Sequence, residues 1–203
     1  MDVILIDAGT GNLRSVYKAM QSLGARVTVT DNPQVARQGE RVVLPGVGAF
    51  GDFMAGLRRK GLDEAVIETV RREIPLLGIC VCMQALFEIG EEMGEHPGLS
   101  LLPGRVIRFR DFPGLKIPHT GWNQLWPRKE SPLLQSLVAG DYAYFNHSYY
   151  CEVSHPEDIL LATDYGIDFT SAVQRNNLYG VQFHPEKSQR VGLRVLENFL
   201  NAA

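Results

Sequence analysis

The sequence predicts an α/β fold in three layers: a mostly parallel sheet with helices on both faces, and an antiparallel β extension. In the first half of the chain, short apolar segments alternate with segments of helical periodicity. Those apolar segments are continuous, which is typical of strands buried on both faces. The second half contains further strand candidates separated by Gly, Pro and Asp.

The first half follows the order strand, helix, strand. A strand over residues 3–7 stops at turn-forming residues, and a helix over 13–23 ends before Gly24. Further strands are predicted at 26–30, 41–44 and 75–79, and further helices at about 50–72 and 82–91. Open α/β sheets of this kind bind ligands at the carboxyl ends of their strands.

The second half is richer in β-structure. Strands are predicted at 105–109, 142–153, 159–162, 171–174 and 178–183. A final helix has one apolar stripe that should close the sheet, formed by Val191, Val195, Leu196, Phe199 and Leu200. No low-complexity linker or internal repeat divides the chain, so we expect residues 1–203 to form one domain.

Composition excludes several classes of protein. Hydrophobic residues make up 45% of the 203 residues, which predicts a soluble globular protein. The 20 Lys and Arg against 23 Asp and Glu give a net charge of −3, which argues against a nucleic-acid partner. The most apolar stretch, residues 74–83, is too short for a membrane span, and we expect no signal peptide. Three cysteines make no disulfide framework and favour a cytoplasmic protein.

The most specific local pattern is the apolar strand that runs into Cys80 and then into a helical segment. A nucleophile at such an elbow is exposed, and the backbone N–H of the next residue, Val81, can bind an oxyanion. A helix N-terminus also stabilises a thiolate. A buried structural cysteine is the alternative interpretation, but the elbow favours a nucleophile.

A thiol nucleophile needs a base, and the base needs a group that orients it. Of the five histidines, His184 stands at the end of an apolar strand, in the run His184-Pro185-Glu186. Pro185 favours extended backbone before it, which puts the His184 and Glu186 side chains on the same side. Alone, this run is also typical of a surface turn. Together with Cys80 it predicts a triad of Cys80, His184 and Glu186.

A glycine-rich run, Pro45-Gly46-Val47-Gly48, follows the strand at 41–44. Its glycines adopt positive φ at little cost, so backbone N–H groups can turn toward a ligand. The spacing matches neither of the common phosphate-binding consensus sequences, and such a run is often only a turn. At the same sheet edge as Cys80, it predicts an oxyanion and substrate loop.

Taken together, these residues resemble the class I glutamine amidotransferases of the triad type, whose motifs are Gly-x-Cys-x-Gly-x-Gln and His-Pro-Glu. The resemblance covers essentially the full chain. It implies that Cys80 attacks the side-chain amide of glutamine, His184 moves the proton and Glu186 orients His184. It also implies a glutamine pocket lined by Gly46, Val47, Gly48, Val81, Gln84, His147, Ser148 and Tyr149. Neither a cofactor nor a metal is expected.

Further motifs resemble one branch of that family, the glutaminase subunits of imidazole glycerol phosphate synthase. They are Gly9-Thr10-Gly11-Asn12-Leu13-Arg14-Ser15, Pro118-His119-Thr120-Gly121-Trp122-Asn123, His147-Ser148-Tyr149 and His184-Pro185-Glu186-Lys187-Ser188. The resemblance implies a heterodimer in which ammonia passes to a (β/α)₈-barrel cyclase subunit of histidine biosynthesis. The residues expected at the interface are Asn12, His119, Trp122, Asn123 and Lys187. A core position is the alternative for Trp122.

Cys82 departs from the family pattern, because it stands where the elbow has its second glycine. We expect its side chain to disturb the start of the helix and the Val81 N–H, and so to lower activity. A zinc site at Cys80 and Cys82 is disfavoured, because no second pair has zinc-site spacing and Cys151 lies far along the chain. Ala8, where the family usually has an aromatic residue, is expected to be tolerated.

Three hypotheses follow for the function. The first is a glutaminase subunit that supplies ammonia to the cyclase of histidine biosynthesis. The second is a related amidotransferase whose ammonia goes to another acceptor, since the triad chemistry does not depend on the acceptor. The third is a regulatory subunit in which Cys82 has silenced the glutaminase.

Overall fold

The computed structural model describes residues 1–111 and 113–202. Its helices are α1 (Leu13–Ser22), α2 (Pro33–Ala36), α3 (Phe50–Arg59), α4 (Leu62–Arg71), α5 (Val81–Ala85) and α6 (Gln189–Asn201). Its strands are β1 (Asp2–Ile6), β2 (Arg26–Thr30), β3 (Val42–Gly46), β4 (Leu76–Cys80), β5 (Ile89–Gly90), β6 (His96–Pro97), β7 (Gly104–Arg108), β8 (His119–Gln124), β9 (Trp126–Pro127), β10 (Tyr142–His147), β11 (Tyr149–Val153), β12 (Ile159–Asp164), β13 (Asp168–Arg175) and β14 (Leu178–Val181).

Most strands form one large sheet, with the order β2-β1-β3-β4-β14-β13-β11-β7-β5-β6. From β2 to β14 the neighbouring strands are parallel. From β14 to β7 they are antiparallel, and β12 and β9 extend the sheet from β13. The predicted α/β fold with an antiparallel extension is therefore confirmed.

Helices cover both faces of the parallel strands. On one face, Met20 of α1 and Phe199 of α6 belong to a single hydrophobic cluster. On the other face, Phe53 of α3 belongs to a second cluster, together with side chains from α4 and α5. Successive residues of β4 contribute to opposite clusters, Leu77 to the first and Leu76 to the second, as strand alternation requires. The three-layer arrangement follows from this alternation.

The last helix packs as its apolar stripe predicts. Val195, Leu196, Phe199 and Leu200 are buried in the first cluster, and Val191 is partly buried against it. No helix of residues 1–111 and 113–202 has the length and apolar character needed to cross a bilayer.

Two predicted helices are interrupted or shortened. The segment at 50–72 divides at Gly61, whose φ of 66° is left-handed, into α3 and α4. The segment at 82–91 is helical only as far as Ala85. The carbonyls of residues 85–88 accept hydrogen bonds from the N–H groups of residues 98–102, so they are not available to continue the helix. This contact with a later segment has no signal in the local sequence.

The strand predicted at 142–153 is in fact two strands in different sheets. β10 pairs with β8 in a separate two-stranded sheet, whereas β11 pairs with β7 and β13 in the large sheet. Ser148 lies between them and carries the chain from one sheet to the other. The sequence did not predict β8, because its residues His119–Gln124 are largely polar and only His119 is fully buried.

Candidate active site

Cys80 lies at an elbow between β4 and α5. It is the last residue of β4, and α5 begins at Val81. Its φ of 60° and ψ of −117° form a conformation that residues other than glycine rarely adopt. Gly78 allows the strand and the helix to approach, because a Cβ there would lie 3.1 Å from the backbone of Cys82. The elbow predicted from the sequence is present.

The helix at this elbow is shorter than the sequence suggests. α5 contains five residues, so its dipole adds less to the stability of a thiolate than a full helix would. The chemistry of Cys80 therefore depends mainly on the side chains around it.

Cys80 is the cysteine that faces the solvent-accessible pocket. It is 7% exposed, against 0% for Cys82 and 1% for Cys151, and all three thiols are free. Burial raises the pKa of Cys82 and of Cys151, and a negative charge on Cys80 raises both further. Those two thiols stay protonated. In the part of the chain that the structure describes, no cluster of three metal-binding side chains occurs.

His184 stands beside Cys80 because β14 and β4 are parallel neighbours. Val181 near the end of β14 pairs with Ile79 near the end of β4. His184 donates from Nδ1 to Oε1 of Glu186 at 2.9 Å, and the Glu186 side chain is 1% exposed. Burial disfavours a charged imidazole, but hydrogen bonds to Cys80 and Glu186 and their negative charges raise the pKa of His184 to about 10. These two neighbours favour the imidazolium form of the ring at neutral pH.

The glycine-rich run after β3 reaches the same edge of the sheet. Val47 and Gly48 line the pocket, and Gly48 has a φ of 100°. Gly46 lies beneath the pocket instead of lining it, because a Cβ there would lie 2.6 Å from the ring of Phe53 and 2.7 Å from Sγ of Cys82. Gly46 is therefore required for packing. It does not line the pocket, where a contact with the substrate was predicted.

A pocket of about 220 Å³ lies between these turns. The predicted residues that line it are Val47, Gly48, Cys80, Val81, Gln84, His147, Ser148, Tyr149, His184 and Lys187. Glu92, Pro118 and Asn146 also line it. The sequence analysis named Pro118 only within a family motif and did not name Glu92 or Asn146. Glu92 accepts a hydrogen bond from the N–H of Phe50 through Oε2 at 2.7 Å. Its sequence context is an ordinary polar turn, which gave no signal for a pocket carboxylate.

Two neutral histidines form a buried chain that runs from the pocket wall at His147 back to His119. His147 donates from Nδ1 to the carbonyl of Tyr149 at 2.8 Å, and its Nε2 lies 3.0 Å from Nδ1 of His119. Burial lowers the pKa of His147 to about 3 and that of His119 to about 4. Because both rings are neutral, His119 donates from Nδ1 to His147 and accepts from the amide of Asn123 at 3.2 Å.

The residues expected at an interface occupy different environments. Trp122 is 47% exposed and lies edge-on to Tyr144, with ring centroids 6.1 Å apart. Lys187 is exposed, with its Nζ 5.7 Å from the centre of the Tyr144 ring. Trp122, Tyr144 and Lys187 form what we call the β8–β10 face, which adjoins the pocket through Lys187. Asn12 and Asn123 are half-buried.

His119, also expected at an interface, is buried within this chain and does not lie on the β8–β10 face. It is 3% exposed and stacks between the rings of Phe145 and Tyr165, with centroids at 4.8 and 3.9 Å. Side chains alternate along β8, so the exposure of Trp122 and the burial of His119 follow from the same strand. Its side chain is therefore a support for the site and not a surface contact.

A thiol on a strained elbow, paired with a buried imidazole and carboxylate, defines a hydrolase or transferase of the cysteine-triad type. The family model for "Glutamine amidotransferase class-I" matches residues 4–203. The chain belongs to this family and is an enzyme of the glutamine amidotransferase class.

Its curated relatives identify the branch. The chain is 48% identical to the imidazole glycerol phosphate synthase subunit HisH of Salinibacter ruber, over 96% of this chain and 92% of the relative. It is also 48% identical to the HisH subunit of Gloeobacter violaceus, over 100% of this chain and 90% of the relative. These relatives place it among the HisH subunits.

Solved structures share the fold at much lower identity. The structure of PurLQS from Thermotoga maritima aligns with a TM-score of 0.76 at 17% identity, covering 98% of this chain and 97% of that chain. The fold is thus kept where most of the sequence has changed.

The charge state of His184 gives the first test. In the Glu186→Gln variant the neutral amide no longer stabilises the imidazolium, so we expect the pKa of His184 to fall by about one pH unit or more. NMR titration of the ring signals, assigned with a His184→Ala variant, measures this. The signals of His119 and His147 serve as internal controls, because both rings should stay neutral at pH 6. A neutral His184 at pH 7 in the unmodified chain would contradict the charge state that we assign to this ring.

Proposed function

We propose that the chain hydrolyses glutamine to glutamate and ammonia through Cys80, His184 and Glu186. The observation that carries the proposal is their arrangement: the thiol and the imidazole line one pocket, and a buried carboxylate holds the imidazole from behind. We also propose that residues 1–203 act as one domain and that the enzyme is cytoplasmic, in line with its three free cysteines.

The pocket offers two side-chain acceptors for a glutamine substrate, one from Glu92 and one from Gln84. Glu92 is the carboxylate that lines it, and it complements the α-ammonium group of an amino acid. Gln84 also lines it and is held by hydrogen bonds from its Nε2 to the carbonyl of Tyr149 and to Gln182. With Nε2 occupied, the side-chain oxygen of Gln84 remains as an acceptor for the substrate. Val47, Gly48, Ser148 and Lys187 complete the wall.

The reaction then proceeds in two steps. The Cys80 thiolate, whose proton His184 holds, attacks the side-chain carbonyl carbon of glutamine, and the N–H groups of Val81 and Gly48 are the proposed donors to the oxyanion. The His184 imidazolium gives its proton to the leaving nitrogen, which departs as ammonia. Neutral His184 next takes a proton from water, which attacks the γ-glutamyl thioester. Glutamate leaves, and the Cys80 thiolate and the His184 imidazolium are restored.

A partner is needed because ammonia released into water at neutral pH becomes ammonium, which is not a nucleophile. We propose that a (β/α)₈-barrel cyclase subunit docks on the β8–β10 face and takes the ammonia to make imidazole glycerol phosphate and aminoimidazole carboxamide ribotide. The similarity to HisH subunits supports this acceptor over that of a related amidotransferase. Trp122 offers an exposed aromatic side chain of the kind that is enriched at interfaces, and Lys187 lies on the same face, against Tyr144.

The position of Cys82 favours an active enzyme over a silenced one. Its sulfur packs against Gly46, and Cys82 is not one of the residues that line the pocket. Helix α5 still begins directly after Cys80. The helix start is therefore kept beside Cys82, whereas the expected effects on the Val81 N–H and on activity stay predictions.

Replacement of each cysteine tests the assignment of the nucleophile. Cys80→Ala should abolish glutamate release in the presence of the cyclase and its ribonucleotide, because no other thiol faces the pocket among the described residues. Cys82→Ala is the matched control and should retain turnover within about tenfold, since it removes only a packing contact. Loss of activity in Cys82→Ala but not in Cys80→Ala would mean that the elbow is misplaced. No turnover in the unmodified complex would favour the silenced subunit.

The docking face is tested with two exposed tryptophans. Trp122→Ala should raise the Kd for the cyclase subunit by at least about tenfold, as expected for an aromatic anchor. Trp126→Ala is the control, because Trp126 is 41% exposed but lies on β9, against β12. Isothermal titration calorimetry measures both. Equal losses, or an unchanged Kd for Trp122→Ala, would place the interface elsewhere.

A further inference from the structure

The side chain of Gln182 lies behind the pocket wall and contacts both Gln84 and Cys80. It is fully buried and follows β14, two residues before His184. Its Oε1 accepts from Nε2 of Gln84 at 2.9 Å, and its own Nε2 lies 3.9 Å from Sγ of Cys80. None of the motifs that predicted the site contains this residue.

Its first contact fixes the Gln84 amide. Nε2 of Gln84 has two hydrogens, and they go to the carbonyl of Tyr149 at 3.0 Å and to Oε1 of Gln182. This leaves the Gln84 oxygen for the pocket. Without Gln182, one N–H would be buried without an acceptor and the orientation of the amide would no longer be determined.

Its second contact concerns the nucleophile. An N–H group directed at sulfur stabilises the thiolate more than the thiol, because the donor interacts with the charge. The backbone of Gln182 is itself held, since its N–H donates to the carbonyl of Ser171 at 2.9 Å. The donor therefore has a fixed position relative to Cys80.

We propose that Gln182 is a positioning residue, which holds the Cys80 sulfur and the Gln84 amide in one arrangement for the attack on substrate. Its kinetic consequences rest on the proposed glutaminase function, whereas its effect on the reactivity of Cys80 does not.

Two variants separate the two contacts. Gln182→Glu keeps an acceptor for Gln84 but replaces the N–H near sulfur with a carboxyl group. As that carboxyl ionises, its charge opposes the thiolate. Gln182→Met removes both contacts at similar length. Gln174→Met is the control, because Gln174 lies in neighbouring β13 and bonds to the carbonyl of Asn176, away from the pocket.

The first readout needs neither glutamine nor a partner. Alkylation of the purified chain by iodoacetamide is followed by intact mass, with Cys80→Ala giving the background from Cys82 and Cys151. At each pH, the alkylation rate of Gln182→Glu is divided by the alkylation rate of the unmodified chain. We expect this ratio to fall at least about fivefold between pH 6 and pH 9. A merely structural role would leave this ratio constant with pH.

The second readout is glutamine turnover in complex with the cyclase subunit. We expect Gln182→Met to raise KM for glutamine by about tenfold and to lower kcat, as for the loss of a buried hydrogen bond. Gln182→Glu should lower kcat with KM within about twofold of the unmodified enzyme.

The proposal is overturned if both variants match Gln174→Met in KM, kcat and pH ratio. If Gln182→Glu fails to fold, the KM and kcat of Gln182→Met are compared with those of Gln174→Met, and equal values overturn the proposal. If the unmodified complex does not hydrolyse glutamine, the proposed function fails, and the pH ratio of alkylation alone decides the role of Gln182.

Discussion

The parallel pairing of β3, β4 and β14 is the constraint on which the site depends. Parallel neighbours end at the same edge of a sheet, so the turns after these three strands meet there. The turns supply Gly48, Cys80 and His184, which are far apart in the chain. A slip of one residue between β4 and β14 would turn the side chains of the slipped strand to the opposite face and move the imidazole relative to the thiol. Helix packing on both faces keeps this register.

Around that edge, the protein separates charged from neutral imidazoles. The charges of Cys80 and Glu186 favour an imidazolium at His184, whereas burial keeps His119 and His147 neutral. The β8–β10 face is tied to the Cys80–His184 pair through β10. The carbonyl of Tyr144 accepts from the N–H of His184, and the N–H of Tyr144 donates to Oγ of Ser188, each at 2.9 Å. A partner that contacts Tyr144 therefore contacts a residue bonded to the catalytic turn.

The sequence predicts the parts of the site that local patterns encode. Apolar runs predicted the strands, and the elbow at Cys80 and the His184-Pro185-Glu186 run placed two groups at their ends. The backbone of that run is extended at His184, but residues Pro185–Lys187 form a 3-10 helix where an extended chain was predicted. What it missed depends on contacts between distant segments. Glu92 and Gln182 are ordinary polar residues until the fold brings Glu92 into the pocket wall and Gln182 behind it, against Gln84 and Cys80. The burial of His119 depends on β8, a polar strand that pairs with β10 in a separate sheet. The early end of α5 likewise follows from hydrogen bonds to residues 98–102.

The central claim is that Cys80, at its strained elbow, carries the acyl group during turnover. The most direct measurement is rapid acid quenching of the complex with the cyclase subunit, its ribonucleotide and glutamine, followed by mass spectrometry of the peptide that contains Cys80 and Cys82. We predict a glutamyl adduct that fragmentation assigns to Cys80 and that accumulates before steady state. An adduct on Cys82, or steady glutamate release with no adduct on either thiol at any time, would contradict the account.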